Sequence, residues 1–285
     1  MYPKPLHKNT FKDTIFYLEN SNFRNIKNAS TIEGVEAFTP NCTIPQLFEE
    51  LITTKFEQCD APSLIFGEKV TTFKQLDGIT KIWSSKIKSK IDELMKLESS
   101  DVPEKCLTPE TRHPVIAVFV PASDLRIQAI LSIFRAYGIY MPLDDTLPPE
   151  RIKSLLNQTG CKLVLYHSDQ YRKVLEKATE NLEHHVELLD VNTICDESYE
   201  TITDTKPPTP NKDPILAVLF TSGSTGEPKG VPIKHSNMVN RLSYHWKTFP
   251  FGSDEKGCHR TSPLFIDHLT ETLSCLLQVL NENKQ

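Results

Sequence analysis

The sequence predicts an α/β protein with helices layered on both sides of a largely parallel sheet. From Val115 onward, short apolar runs alternate with stretches of helical periodicity, the arrangement that produces parallel strands joined by crossover helices. Val115 to Val120 is apolar without interruption, as a strand buried on both faces requires. Turn residues fall where the periodicity changes, at Gly138, Pro148-Pro149 and Gly160.

Residues 1 to about 40 lack sustained periodicity and are rich in Asn, Lys and Ser, so an irregular N-terminal extension is expected there, with the organised domain covering 41–285. Thr43-Ile44-Pro45-Gln46 reads as a capping box, followed by an apolar face of Ile44, Leu47, Phe48 and Leu51. Ser63 to Phe66 and Lys69 to Thr71 read as two strands of a hairpin turning at Gly67-Glu68. Thr72 with Gln75 opens a helix carrying Leu76, Ile79, Trp83 and Ile87. Its lysines Lys81, Lys86, Lys88 and Lys90 form a solvated face. After the Val115 strand, Asp124 is placed to cap a helix with Ile127, Ile130, Leu131 and Phe134 inward, stopped by Gly138. Ile139 to Leu143 is the next strand, and Pro148-Pro149-Glu150-Arg151 starts a helix with Ile152, Leu155 and Leu156 inward that ends at Gly160. Leu163 to Tyr166 is a strand, Val174 and Leu175 belong to a helix, and Val186 to Leu189 is a strand again. Cys195 to Pro214 reads as a connecting loop, and Ile215 to Phe220 as a further buried strand. Ser236 is placed to cap a helix with Val239, Leu242 and Trp246 inward, and a last helix carries Leu269, Leu273, Leu276 and Leu277.

Of the 285 residues, 38% are apolar and 24% charged, which is ordinary for a globular chain, and a formal charge of −5 argues against a nucleic-acid or membrane partner. The seven cysteines include no C-x-x-C pair, which excludes a zinc ribbon or thioredoxin-type motif and fits reduced thiols. With no apolar N-terminal leader and no membrane-length run, a cytoplasmic protein is expected. His184-His185 lacks a third metal ligand, and His235, His245 and His259 read as packing or surface histidines.

The chemistry concentrates in Thr221-Ser222-Gly223-Ser224-Thr225-Gly226-Glu227-Pro228-Lys229-Gly230, directly after the Ile215–Phe220 run. Glycines let backbone N–H groups close on an anion, hydroxyls add donors, and the lysine supplies a mobile positive charge, so the stretch suits a polyphosphate such as that of ATP. Neither of two better known phosphate loops fits. A Walker loop counted from Gly223 meets Pro228 where its second glycine belongs, and the G-x-G-x-x-G spacing is missing.

Residue for residue, this stretch resembles the T-S-G-S-T-G-x-P-K-G signature of the adenylate-forming superfamily, which includes acyl-CoA synthetases, luciferases and the adenylation domains of nonribosomal peptide synthetases. Phe134-Arg135-Ala136-Tyr137-Gly138-Ile139-Tyr140-Met141-Pro142-Leu143-Asp144 with Pro148-Pro149-Glu150-Arg151-Ile152 resembles the K-A-G-G-A-Y-x-P-L-D…P-x-E-R-I segment of the peptide-synthetase branch, and Tyr137 stands where a glycine is usual. The likeness runs from about Thr43 to Leu280 and implies an adenylation-type N-terminal subdomain, incomplete at its C-terminal side.

The resemblance implies ATP-dependent activation of a carboxylate as an acyl-adenylate with release of pyrophosphate, followed by transfer to a thiol. On it, Thr221, Ser222, Gly223, Ser224, Thr225 and Gly226 wrap the β- and γ-phosphates, Lys229 offsets leaving-group charge, and Mg²⁺ shields the phosphates. The loop is expected between a strand and a helix N-terminus, with the helix dipole aiding anion binding. In amino-acid-activating relatives F-D-x-S supplies an aspartate for the substrate amine. Here Phe265-Ile266-Asp267-His268 brings Asp267 one residue later, as in β-alanine-activating enzymes and β-alanyl-amine synthetases, and the bland alternative is that Asp267 caps the following helix. The implied partners are a small carboxylate or amino acid and, as acceptor, CoA or the phosphopantetheine arm of a carrier-protein domain. The family unit is longer than this chain: the N-x-Y-G-P-T-E and Y-x-T-G-D segments and the C-terminal lysine subdomain have no counterpart. The chain is therefore expected to be a fragment without competent turnover, the alternative being a noncatalytic nucleotide-binding or regulatory module.

Overall fold

The computed structural model describes residues 42–56, 60–97, 113–194, 214–222, 228–252 and 255–278. Two compact units divide the chain, Met1–Phe38 and Thr39–Gln285, and every described residue belongs to the second. The expected N-terminal extension, nearly all of the Cys195–Pro214 loop and Gly223–Gly226 lie outside the described residues.

Helix α1 (Ile44–Leu51) opens as its sequence demands, the Gln46 side-chain oxygen accepting the Thr43 N–H at 2.8 Å, and continues into a π turn at Ile52–Phe56. Strands β1 (Pro62–Phe66) and β2 (Lys69–Thr72) form an antiparallel hairpin in which Gly67, at φ 60°, takes the left-handed conformation that a side chain resists. A two-way capping exchange between Thr72 and Gln75 starts α2 (Phe73–Leu97), which buries Leu76, Trp83 and Ile87. Two lysines of the expected solvated face are held by carboxylates, Lys81 by Asp77 at 3.0 Å and Lys90 by Glu93 at 3.2 Å.

The centre is a six-stranded sheet built from β3 (Val115–Phe119), β4 (Ile139–Pro142), β5 (Leu163–Tyr166), β6 (Glu187–Asp190), β7 (Ile215–Ser222) and β8 (Pro228–Lys234), in the spatial order β6-β5-β3-β4-β7-β8. Four of its pairings are parallel and the last, β7 with β8, is antiparallel. Helices cover both faces. Ile116 and Val118 point into a core with α1, α2, α3 (Asp124–Arg135), α6 (His235–Thr248) and α7 (Asp267–Leu277). Val115, Ala117 and Phe119 alternate to the other face, under α4 (Pro149–Thr159) and α5 (Ser168–Thr179). This is the expected three-layer α/β/α arrangement. Burying β3 on both faces explains why its sequence shows no polar alternation.

A buried ionic knot fixes the helical layer that carries α3. Arg135, 9% exposed, reaches Asp77 of α2 at 2.5 Å and Glu49 of α1 at 2.9 Å, and its guanidinium lies 4.9 Å from the centre of the Phe48 ring. With both carboxylates within hydrogen-bond distance, this buried cation is compensated.

Three expected helix ends differ. Ser123, not Asp124, holds the N-cap of α3, but its hydroxyl donates to the Pro121 carbonyl instead of capping. Asp124, freed for a tertiary role, pairs with Lys69 of β2 at 2.7 Å. Gly138 does not terminate α3: Ala136 is its C-cap, and Tyr137 itself takes the left-handed turn at φ 58°. Helix α6 starts at His235, one residue before the expected Ser236 cap. The Asn237 side-chain oxygen accepts the Lys234 N–H at 3.0 Å, because the chain enters the helix straight from β8.

Candidate functional site

The carboxyl ends of β3, β4, β5 and β7 form one edge of the sheet. There β3 connects through α3 on one face, while β4 and β5 connect through α4 and α5 on the other. Divergent connections of this kind open a crevice at the strand ends, the general position of ligand sites in open α/β sheets.

The glycine-rich segment lies on that edge. Its described ends are strand: Ser222 pairs with Pro228, Thr221 with Lys229 and Phe220 with Gly230 across an antiparallel ladder. β7 and β8 thus form the two arms of a hairpin, and 223–227, between them in sequence, lie outside the described residues. This corrects the expectation of a strand-to-helix connection, since β8 has seven residues and carries the chain back to the opposite edge before α6 begins. At a strand rise of 3.2–3.4 Å per residue, the α6 N-terminus is roughly 20 Å from the loop, too far for its dipole to act on a bound anion. Its first turn serves the core instead: His235, 3% exposed, accepts the Ile44 N–H on Nδ1 at 3.1 Å.

Strand alternation assigns the faces. Val218 and Phe220 pack against the α4–α5 core, so Thr221 and its partner Lys229 belong to the α6–α7 face. Thr221, Ser222 and Lys229 are exposed. Gly230 explains its own identity, since a Cβ there would sit 3.3 Å from the Phe220 ring and 3.2 Å from Val218, and the glycine lets that ring lie across the hairpin.

Asp267 is the first residue of α7 and follows Ile266 at the N-cap, so it does not cap the helix as the bland alternative had it. Its carboxylate, 55% exposed, pairs with Arg241 of α6 at 2.5 Å, and the same guanidinium donates through Nε to Thr270 at 2.7 Å. Sequence reading missed Arg241, and no local signal could have found it, because the contact joins two helices 26 positions apart.

The segment leading to Asp267 is strapped to α7 by that helix's own side chains. One Glu271 oxygen accepts the Arg260 and Thr261 N–H groups at 2.9 Å, and the other accepts the Thr261 hydroxyl at 2.6 Å. Ser262 donates to Asp144 after β4 at 3.2 Å. His268 is fully buried and bridges both sides, with Nδ1 at the Phe265 carbonyl and Nε2 3.1 Å from the Tyr140 hydroxyl. A carbonyl only accepts, so Nδ1 carries the proton and Nε2 accepts from Tyr140. Burial foremost, with the neighbouring His259 and Arg126 adding to it, lowers the His268 pKa to about 4. His259 donates from Nδ1 to Thr272, whose own hydroxyl proton goes to the His268 carbonyl at 2.9 Å. Of the other histidines, His184 reaches the Cys161 carbonyl at 2.8 Å and His245 lies beside the Phe249 and Phe251 rings. Among the described residues no group of three or more His, Cys, Asp or Glu side chains gathers as a metal site, and no helix is long and apolar enough to cross a membrane.

Residues 109–280 match the family model described as AMP-binding enzyme. The chain is 27% identical over 265 residues to the beta-alanyl-bioamine nonribosomal peptide synthetase ebony of Drosophila melanogaster, covering 88% of this chain and 28% of that protein. It is 32% identical over 220 residues to gramicidin S synthase 2 of Aneurinibacillus migulanus, covering 75% of this chain and 4% of that protein. The chain thus spans under a third of ebony and a small part of the bacterial synthase. Among solved structures, the complex of VinN with L-aspartate aligns at a TM-score of 0.67 and 14% identity over 83% of this chain and 55% of VinN. The AMPPNP-bound nonribosomal peptide synthetase FmoA3 aligns at 0.62 and 20% identity over 87% of this chain and 23% of that one. A hydroxyl- and glycine-rich hairpin at the carboxyl edge of a doubly covered parallel sheet, together with these matches, places the chain in the AMP-binding enzyme family of adenylate-forming proteins, on its nonribosomal peptide synthetase side.

Proposed function

We propose that the chain carries the triphosphate cradle and one wall of the acyl pocket of an ATP-dependent enzyme that activates an amino acid, β-alanine being the candidate, as an acyl-adenylate for transfer to a thiol. The supporting observation is the register of the β7–β8 hairpin, which brings Thr221 and Lys229 to the carboxyl edge on the face of α7, with Ser222 next to them at the strand end. In the reaction, a carboxylate oxygen forms a bond to the α-phosphorus while the bond to the pyrophosphate oxygen breaks, and negative charge accumulates on the departing pyrophosphate. The hydroxyls of Thr221, Ser222, Ser224 and Thr225 and the backbone N–H groups of Gly223 and Gly226 would donate to the β- and γ-phosphate oxygens, and Lys229 would offset the departing charge. When bound, Mg²⁺ shields the phosphate oxygens, and the family's use of ATP implies that it arrives on the nucleotide.

Asp267 is the residue we assign to the substrate amine. Its pairing with Arg241 means that an incoming ammonium group would share or displace an existing cation. The similarity to ebony, named as a beta-alanyl-bioamine nonribosomal peptide synthetase, supports β-alanine, and the acceptor we assign is a carrier-bound thiol. Turnover would need the further residues of the longer relatives, so these 285 residues alone are expected to bind ATP without sustaining exchange.

Titration calorimetry with ATP, and ATP–pyrophosphate exchange with β-alanine and a panel of amino acids, test the proposal. The expected result is ATP binding that weakens about tenfold or more in Lys229→Ala, the value of a lost charge-assisted contact. Absence of ATP binding, or binding indifferent to Lys229→Ala, would remove the cradle assignment. Robust exchange by the 285-residue chain would remove the claim that it needs its longer relatives' residues.

A further inference from the structure

Two arginines of α3 are almost equally buried, and only one has carboxylates around it. Arg135 is held by Asp77 and Glu49. Arg126, 7% exposed, makes one hydrogen bond, from Nε to the Val120 carbonyl at 2.7 Å. Among the described residues no carboxylate lies within ion-pair distance of it. The acidic groups of the same edge have other partners: Asp124 pairs with Lys69 at 2.7 Å, Asp144 accepts from Thr146 and Ser262, and Asp145 accepts from Tyr171 at 3.1 Å. Asp124 and Arg126 are two positions apart on the helix, which turns their side chains to different sides.

A buried cation without a counter-charge costs several kcal/mol. Its terminal nitrogens are not among the described polar atoms that are sealed from solvent without a partner. Its charge acts on what surrounds it: it lowers the pKa of His259 after burial and that of His268 after burial and the neighbouring His259, and it also acts on Tyr140 and Tyr171. Unpaired Nη groups on a planar fork match an oxyanion. The first turn of α3 adds to the attraction, since no side chain caps its free N–H groups.

We propose that Arg126, with the first turn of α3, forms an anion subsite for a carboxylate or phosphate group at the carboxyl end of β3. It lies on the same face as Lys229, three strand spacings or about 14 Å across the sheet. The subsite does not depend on the loop binding a nucleotide. It would take either a second acidic group of the substrate or a phosphate-bearing ligand, and the two differ in which anion fills it best.

Thermal unfolding of the 285-residue chain in inorganic phosphate, succinate, acetate or chloride at matched ionic strength tests the proposal, with Arg126→Met, Arg126→Lys and Lys229→Ala in parallel. Wild type should gain about 5 °C in Tm at a hundredfold excess of the preferred anion over its Kd. Arg126→Met should start with a Tm equal to or above that of wild type, because an uncompensated buried charge is gone, and should show no gain. Arg126→Lys should keep part of the gain and Lys229→Ala the part that Arg126→Met loses, including all of the response to succinate. A larger response to phosphate would identify a phosphate ligand, and a larger response to succinate a substrate carboxylate. The proposal is overturned if Arg126→Met responds like wild type, if it melts lower without anion, if chloride serves equally, or if Lys229→Ala is the variant that loses the response. Loss of ATP binding in Lys229→Ala with the anion response intact would leave the two sites separately established.

Discussion

Arg241 ties Asp267 to Thr270, so the carboxylate assigned to the substrate amine is already half neutralised. Both members of the pair are about half exposed, and a pair in that setting contributes 1 kcal/mol or less to stability. Its consequence is therefore for recognition. Arg241→Gln should leave the Tm within about 2 °C of wild type and strengthen binding of β-alanine several-fold, as judged by competition in calorimetry. Asp267→Asn should abolish that gain, and effects of the two substitutions that simply add in the double variant would show that the residues act independently. Tyr137 offers a second test at this scale. It holds a left-handed conformation that a side chain resists, and its hydroxyl is buried without a partner among the described residues. Removing that oxygen in Tyr137→Phe should stabilise the protein by about 1 kcal/mol, read from the denaturation midpoint, because a desolvated and unpaired polar group is lost with no change in shape.

Helix α3 shows how an element's end is set by what lies beneath it. Gly138 is required, but not for the helix stop assigned to it from sequence: a Cβ there would lie 2.4 Å from Ile116 and 3.1 Å from Ile133, both fully buried in the core. Gly138→Ala should cost about 1–3 kcal/mol in chemical denaturation by overpacking, and Ile116→Val in the same chain should recover part of it. Periodicity recovered nearly every element of this layer, because apolar stripes and two-way caps such as Thr72 with Gln75 are local signals. What it missed was non-local. β8 carries Pro228 and Pro232, which read as loop, and a strand tolerates them because β8 is the outermost of the sheet and its free side needs no N–H groups. Missing β8 led directly to the mistaken helix dipole behind the phosphate loop. Similarly, the residue types of the loop suggest a phosphate cradle from sequence alone, whereas Arg241 and Arg126 look in sequence like ordinary helix-surface residues. Their importance lies in which carboxylates the fold does and does not bring to them.

Across the whole molecule, the seam between the sheet and its helices holds neutral imidazoles where protonation is penalised. His268 is sealed between Tyr140 of β4 and the Phe265 carbonyl, and its pKa falls to about 4 chiefly through burial. Burial likewise lowers His259, with Arg126 second, and His113 just before β3. A histidine whose folded pKa is depressed adds nothing above the unfolded value of 6.5, where both states are neutral. Between 6.5 and about 4 the unfolded chain takes up a proton that the folded chain refuses, so stability drains away as pH falls through that window. For His268 alone the loss at pH 4 is on the order of 3 kcal/mol. Glu271 and Asp144 lose stability in the same direction but at lower pH: burial pulls their folded pKa values up, hydrogen bonds to the ionised forms outweigh it and lower them, so their contribution is intact at neutral pH and fades only as pH falls below the usual carboxylate values. Weakening between pH 6.5 and 4 is therefore a histidine effect. Urea denaturation at pH 7.5 and pH 5 should show a marked fall in midpoint for wild type. His268→Gln, which can accept from Tyr140 and donate to the Phe265 carbonyl without titrating, should be slightly weaker at pH 7.5 and should lose much less between the two. An unchanged pH dependence in His268→Gln would mean that the proton enters elsewhere, and the same titration on His259→Gln and His113→Gln would find where.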